Sequence, residues 1–254
     1  MSTIHFSRPG AHVALLEIEA PPTNALGQAA RRQFLAHLAD IENDAALRAV
    51  IVTGRGQNFC SGDDLKEREA TRQGGGEDPA VSFPVLVDRL EGLRVPVIAA
   101  INGFAIGGGL ELALGCDLRL ASSQAQFVCA AVNVGLIASA WRLPRLIGIA
   151  RAKHMLLTGL PVDAATAERF GLVTAVQPAE TLSDAALALA ERIASRAPLS
   201  VEATKRISSR ALDLDAAAAA EALRKEFEPL IKSADHAEAL AAFREKRTPV
   251  FRRR

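Results

Sequence analysis

The stretch "GFAIGGGLELALGCD", from Gly103 to Asp117, constrains this chain more than any other. Before it runs "VPVIAAIN", the most strand-like segment present, and "LELALGCD" after it reads as a helix. Three consecutive glycines leave bare backbone where the strand hands over to the helix. A lone carboxylate, Glu111, opens that helix among leucines and alanines. Such backbone suits tight strand–helix packing or the close approach of a ligand. A second glycine-containing strand end, "FCSGDD", stands at Phe59–Asp64. Neither stretch is a dinucleotide fingerprint, because Gly107, Gly108 and Gly109 lack a further glycine at the required place. Neither is a phosphate-binding P-loop, because no Gly-Lys-Ser/Thr follows Gly54 or Gly62.

Around these two points the pattern alternates between strands and helices. "HVALLEIE" reads as a strand and "PPTNALG" as a turn, followed by a helix from Gln28 to Asp40 with Phe34, Leu35 and Leu38 on one face. "LRAVIVTG" is a buried strand, "GRGQNFCSGDDLKE" a glycine-rich loop entering a short polar helix, and "TRQGGGEDPA" a mobile loop. Val85 to Leu93 is amphipathic and helical; "LRLAS" and "AQFVCA" are short strands. "RLPRLIGIARAKHMLLTG" and "DAATAERFG" are helical and lead to the strand "LVTAVQP". From Leu182 onward nearly everything favours helix, including "DAAAAAEALRKEFEPLI". Strand–helix units come first and helices last, so the expected fold is α/β, a core over residues 1–195 with a helical C-terminal appendage over 196–254.

Composition removes several function classes. The chain has 254 residues, 49% of them hydrophobic and 23% charged, which supplies a sizeable core. Its formal net charge is +1 with no basic half, so nucleic acid is not expected as a partner. The basic tail "EKRTPVFRRR" reads as a solvated terminus. Cys60, Cys116 and Cys129 are odd in number and lack metal-ligand spacing; they suit a reducing, cytoplasmic compartment as small core residues. No apolar run is long enough for a signal core or a bilayer span, so no membrane partner is expected.

The two glycine-bearing strand ends together resemble the crotonase, or enoyl-CoA hydratase/isomerase, family, and the match runs almost end to end. It includes "NAL" at Asn24–Leu26, "FCSGDDLKE" at Phe59–Glu67 and "NGFAIGGGLELALGCDLRLAS" at Asn102–Ser122. "AQF", "RLIG", "A…RFGLV" and "AFREKRTPVF" follow in family order. The resemblance implies an acyl-CoA thioester substrate, with coenzyme A as part of that substrate and no metal or redox cofactor. It also implies an enolate held by two backbone N–H donors, here those of Asp63 and Gly108. Gly108 falls at a helix start, where free N–H groups favour an anion, and a side chain there would obstruct the thioester. Glu111 matches one of two catalytic glutamates of the family's hydratases, a general base toward water. Ala25, Asp64, Leu65 and Lys66 match CoA- or substrate-binding positions, Ala25 through its backbone on the adenine side and Lys66 near the phosphates. Phe227 and Lys246 match positions that reach the nucleotide end of CoA across a subunit boundary. The resemblance further implies that residues 1–195 form an acyl-CoA-binding core of repeated strand–strand–helix units, that 196–254 are an oligomerisation region, and that the protein is a homo-oligomer, a trimer or a dimer of trimers.

One departure stands out. By spacing from Glu111, the second glutamate falls on Ala131. Asn133, Ser139 and Arg142 are the nearby polar groups, none of them an acid or base suited to neutral pH. Ala131, Asn133, Ser139 and Trp141 are expected around the acyl pocket, with Trp141 reshaping it. The expected reaction is water addition to an α,β-unsaturated acyl-CoA. Isomerisation, decarboxylation or hydrolysis through an enolate is the alternative, as is an acyl-CoA binder that lost its acid.

Overall fold

The computed structural model of the chain describes residues 2–254 other than Gly75 and Glu77, and the side chains of these except 71–74. The first part runs β1 (Thr3–Gly10), β2 (Val13–Glu19), β3 (Ala25–Leu26), α1 (Gln28–Asn43), β4 (Ala49–Gly54), β5 (Gly62–Asp63), α2 (Leu65–Gly74), α3 (Phe83–Glu91), β6 (Val97–Ile101), β7 (Phe104–Ile106) and α4 (Gly108–Leu114). Next come β8 (Leu118–Ser122), β9 (Gln126–Val128), α5 (Arg142–Ile147), α6 (Ile149–Thr158), β10 (Val162–Asp163), α7 (Ala164–Phe170) and β11 (Ala175–Gln177). Four helices end the chain: α8 (Leu182–Ala194), α9 (Pro198–Ser208), α10 (Ala216–Ile231) and α11 (Ala234–Glu245).

The main sheet has the order β1-β2-β4-β6-β8-β11, parallel except for the antiparallel edge strand β1. The central strands β4 and β6 are nearly continuous apolar runs because both of their faces are covered. Alternation assigns the faces: Val50 and Val52 of β4 and Val97, Ala99 and Ile101 of β6 join one core with α1, α3 and α4. Ala49, Ile51, Ile98 and Ala100 face the other way, against Leu182, Ala186, Ala190 and Ala194 of α8. On α1, Phe34, Leu38 and Ile41 are buried at helical spacing, each contributing about 1.5–3 kcal/mol by leaving water. Two small sheets, β10-β9-β7 and β3-β5, sit beyond the main one and carry the segments of interest. The mixed α/β core with C-terminal helices is the expected architecture.

Several local expectations change. β1 was not expected from "TIHFSRPG"; it is a half-polar edge strand, where alternation is weak because one side is solvated. "VPVIAAINGFAI" is two strands, since Asn102 and Gly103 break the run and β7 leaves for another sheet. Gly148, at φ +82°, divides "RLPRLIGIARAKHMLLTG" into α5 and α6. Residues 71–74, expected in a loop, continue α2, while Gly75 and Glu77 lie outside the described residues.

The C-terminal tail is pinned rather than solvated. Arg253 bonds Glu202 at 2.8 and 3.0 Å, and the Asp235 carboxylate accepts from the Arg252 and Arg253 amides at 2.7 and 2.9 Å. Glu202 also accepts from Arg94 at 2.9 Å, and Lys205 pairs with Asp117 at 2.8 Å, so α9 is tied to the sheet layer. By contrast α10 buries no residue. Cys60, Cys116 and Cys129 are free and buried, and burial pushes each thiol up to about 12. Among the described residues no helix is long and apolar enough to cross a membrane.

Candidate active site

The segments that follow β4 and β6 converge beyond the carboxyl ends of those strands, the usual place for a ligand on an open parallel sheet. Two buried or half-buried asparagines fix them. Asn24, at φ +56°, accepts from the Ala20 amide at 2.9 Å and donates to the carbonyls of Arg55 and Asn58 at 3.0 and 2.7 Å. Asn102 donates to the Gly56 carbonyl at 2.9 Å. Both lie in motifs that carried the resemblance, yet their stapling of the loop could not be read from residue type.

β5 and the start of α4 press backbone on backbone. Gly62 has φ +91°, and a Cβ on it would stand 2.6 Å from Gly108 N and 2.8 Å from Gly108 Cα. A Cβ on Gly108 would meet Phe83 Cζ at 2.9 Å and Gly62 Cα at 3.0 Å. The fold gives glycine at 108 a reason of its own: a side chain would collide with Phe83 and Gly62. The first helical bond of α4 is made by Glu111 N–H to the Gly107 carbonyl at 3.0 Å. The amides of Gly108 and Gly109 thus precede the helical ladder.

Asp63 sits on a cation that sequence reasoning missed. Arg31, in the buried row of α1 and only 2% exposed, donates to the Asp63 carboxylate, to the Leu26 carbonyl at 2.8 Å and to the Val81 carbonyl at 2.7 Å. Arg68 adds a longer contact to Asp63 at 3.3 Å. A charged residue at an apolar helical position was the available signal, since Arg is almost never buried unpaired.

Glu111 is fixed at both oxygens. The Ser139 hydroxyl donates to Oε2 at 2.5 Å and Arg142 Nη1 donates to Oε1 at 2.8 Å. Arg142 is itself held by Asp88 at 2.7 Å and by Glu91 at 2.7 and 3.0 Å, both from α3. Burial works against its charge, but the hydrogen bonds to Glu91, Asp88 and Glu111 outweigh it and hold its pKa above the ordinary arginine value. The negative charge of Glu111 also adds to burial in raising the Cys129 thiol.

A cavity of about 1160 Å³ joins these groups. Its lining includes the charged side chains of Asp63, Asp64, Lys66 and Arg68, an apolar stretch from Ala130 to Ala138, and Gly107, Gly108, Glu111 and Arg142. Asp64 also accepts from the amides of Lys66 and Glu67 at 3.0 and 3.2 Å, which starts α2 and presents Lys66 at the rim. Among the described residues, no three His, Cys, Asp or Glu side chains are grouped to hold a metal.

Five expected residues fall outside this lining, among them Ser139, which is buried against Glu111. Trp141 does not line this cavity: it is 68% exposed, with the Arg145 guanidinium 4.8 Å from its ring, and borders a separate cavity of about 790 Å³. The chain turns at Ser139, whose φ is +59°; beyond it Trp141 borders the second cavity and Arg142 borders both. Asn133 is exposed and its amide lies against Gly159, outside the cavity lining. Phe227 on α10 and Lys246, which ends α11, are not part of the cavity within one chain.

Comparison with known proteins agrees with this geometry. The enoyl-CoA hydratase/isomerase family model matches residues 8–254. The chain is 38% identical to a putative enoyl-CoA hydratase/isomerase, YngF, of Bacillus subtilis, over 98% of each chain. It is 36% identical to the short-chain-enoyl-CoA hydratase of Clostridium acetobutylicum, over 92% of each. The crystal structure of an enoyl-CoA hydratase from Bacillus anthracis superposes with a TM-score of 0.92 at 35% identity, covering 99% of this chain and all of the other. With sequence, fold and length in agreement, the chain belongs to the enoyl-CoA hydratase/isomerase (crotonase) family and is an enzyme acting on acyl-CoA.

Proposed function

We propose that this enzyme adds water across the α,β double bond of an enoyl-CoA whose acyl group is apolar. The observation that carries the reading is Glu111, an anchored carboxylate lining the same cavity as Gly108 and the apolar stretch from Ala130 to Ala138. The Asp63 and Gly108 amides would hold the thioester oxygen as it gains charge, an arrangement in which one donor is worth about 2.7–4 kcal/mol of the barrier. Glu111 takes a proton from water as the water oxygen bonds Cβ. The electron pair of the double bond moves to the thioester oxygen as an enolate, and the proton is returned to Cα.

Because Ala131 stands where a second glutamate is expected, Glu111 carries both proton transfers in this reading. The same observation favours a second reading, another enolate reaction such as a double-bond shift, in which one group moves one proton at a time. The wall of Ala130, Ala131, Val134, Leu136, Ile137 and Ala138 offers no cation to a second carboxylate on the acyl group, which supports an apolar acyl chain. Lys66 and Arg68 in the same lining suit the phosphates of CoA.

The oligomer belongs to the same proposal. Phe227 is 62% exposed and Phe243 84% exposed on helices that bury little, while Ile137 and Leu157 are exposed on the acyl side. Residues 196–254 would then cover a neighbouring subunit and bring Phe227 and Lys246 to its CoA. Incubating the enzyme with crotonyl-CoA, longer enoyl-CoAs and saturated or malonyl-type thioesters, with product analysis, tests the reaction. Hydration of an apolar enoyl-CoA is the expected result. Turnover confined to isomerisation, decarboxylation or hydrolysis replaces this reading, and turnover of none of them leaves a binder. Light scattering tests the oligomer, and a stable monomer that binds CoA thioesters tightly overturns it.

A further inference from the structure

We propose that Ser139 and Arg142 are positioning residues that aim Glu111 and let one carboxylate serve where the second is missing; this deepens the hydration reading and rests on it. Three observations converge. First, Ser139 is 5% exposed and does not line the cavity, so its hydroxyl approaches Glu111 from behind rather than from the substrate side. It is one of the few non-glycine residues at positive φ, +59°, a conformation that carries a backbone cost and persists where the surroundings require it. Second, Arg142 is the first residue of α5, where the helix dipole disfavours a cation. Helix stability therefore does not explain an arginine there. Its guanidinium instead joins Asp88 and Glu91 of α3 to Glu111 of α4, and so locks the carboxylate to two helices.

Third, the two bonds occupy different oxygens, Ser139 on Oε2 and Arg142 on Oε1. The carboxylate cannot rotate without breaking both, so the lone pairs that remain point in fixed directions. With Ala131 offering no second group to hold or guide a water, the direction of these lone pairs sets where a water or a Cα proton is met. A misplacement of about 1 Å at such a group costs on the order of a hundredfold in rate.

The test measures kcat and KM for crotonyl-CoA hydration in wild type, Ser139→Ala, Arg142→Gln and Arg142→Lys. In parallel, deuterium uptake from D2O at Cα of butyryl-CoA is followed. In that exchange Glu111 removes a Cα proton, the thioester oxygen carries the electron pair, and a solvent deuteron returns to Cα. Ser139→Ala should lower kcat and the exchange rate about ten- to a hundredfold, the worth of a hydrogen bond to a charged group, with KM within about twofold. Arg142→Gln should lose more, and Arg142→Lys should recover part of that loss. Should Arg142→Gln fail to fold, Ser139→Ala still decides, because it removes one oxygen atom and leaves all charges in place. Unchanged kcat and exchange in folded Ser139→Ala, with only the melting temperature lowered, overturns the proposal and leaves a structural bond. A wild type that exchanges Cα deuterium but hydrates nothing overturns hydration alone. A wild type that does neither overturns both.

Discussion

The two walls of the cavity are built on different principles. On the side of β5 and α4, backbone touches backbone: a Cβ on Gly62 or Gly108 would fall within 3.0 Å of its neighbours, and buried Arg31 braces Asp63 from below. On the side of residues 130–141 the chain is a short 3₁₀ turn and an irregular segment, with Val134 and Leu136 about half exposed and Ile137 85% exposed. The first wall leaves no room for a side chain and, in the proposed reaction, would hold the thioester common to every acyl-CoA. The second would face the acyl group and carries Ala131 where the family resemblance implies a glutamate. In that reaction the shared step would rest on backbone geometry and the acyl preference on side chains of a loosely packed segment. Glu111 joins the two, since its helix belongs to the first wall and Ser139 and Arg142 reach it from the second.

The contrast can be broken most severely at Gly62. Gly62→Ala puts a methyl group against Gly108 N at a backbone angle that L-residues avoid, so turnover should fall on the order of a hundredfold or more, with a lower melting temperature. Near-normal kinetics in a folded Gly62→Ala enzyme would mean that this wall is not rigid. Next in size is Arg31→Met, which leaves Asp63 without its buried partner. Breaking such a pair costs about 3–5 kcal/mol, to be read by urea unfolding, and a change under 1 kcal/mol would show that Asp63 is solvated enough to stand alone.

On the second wall the expected changes are smaller and run the other way. Ala131→Glu should raise crotonyl-CoA hydration several-fold while leaving the melting temperature nearly unmoved, because the position is half-buried at the cavity surface. A collapse in stability would instead mean that Ala131 is packed as tightly as the glycines opposite.

A still milder effect lies away from both walls, at Glu202. Burial disfavours its charge, but Arg253 and Arg94 outweigh this and hold its pKa below the ordinary 4.5. A carboxyl depressed in the folded state stabilises above its unfolded value, and the contribution fades as pH falls through the folded value. Acid titration of stability should therefore be shallower below about pH 4.5 in Glu202→Gln than in wild type. Parallel curves would show that the tail pairing contributes nothing.

Much of the first wall was legible because its signals are local. Glycines at a strand-to-helix junction and a carboxylate in the first turn of α4 keep their meaning wherever the rest of the chain goes. The α/β order was legible for the same reason: apolar runs such as Ala49–Gly54 and Val97–Ile101 have one use in a parallel sheet. What escaped were residues whose role depends on a distant partner. Arg31 was not singled out, because its partners Asp63, Leu26 and Val81 come from three other parts of the chain. Ser139 was expected in the acyl pocket and Arg142 was noted only as a nearby polar group unsuited to acid–base work, since nothing in the residue order shows that both meet Glu111. Trp141 was expected in the acyl pocket because it stands where the family pattern has a small residue, but it is exposed and borders the other cavity. The basic tail read as solvated because its anchors, Glu202 and Asp235, are on α9 and α11.

The central claim is that Glu111 alone performs the proton transfers, held between two walls of different construction. Crotonyl-CoA hydration by Glu111→Gln compared with wild type tests it most directly, since the amide keeps the shape of the carboxylate but cannot act as a base. The account predicts that kcat falls on the order of 10²–10⁴-fold while KM stays within about twofold. Full activity in Glu111→Gln, in a folded protein that binds the thioester normally, would contradict it.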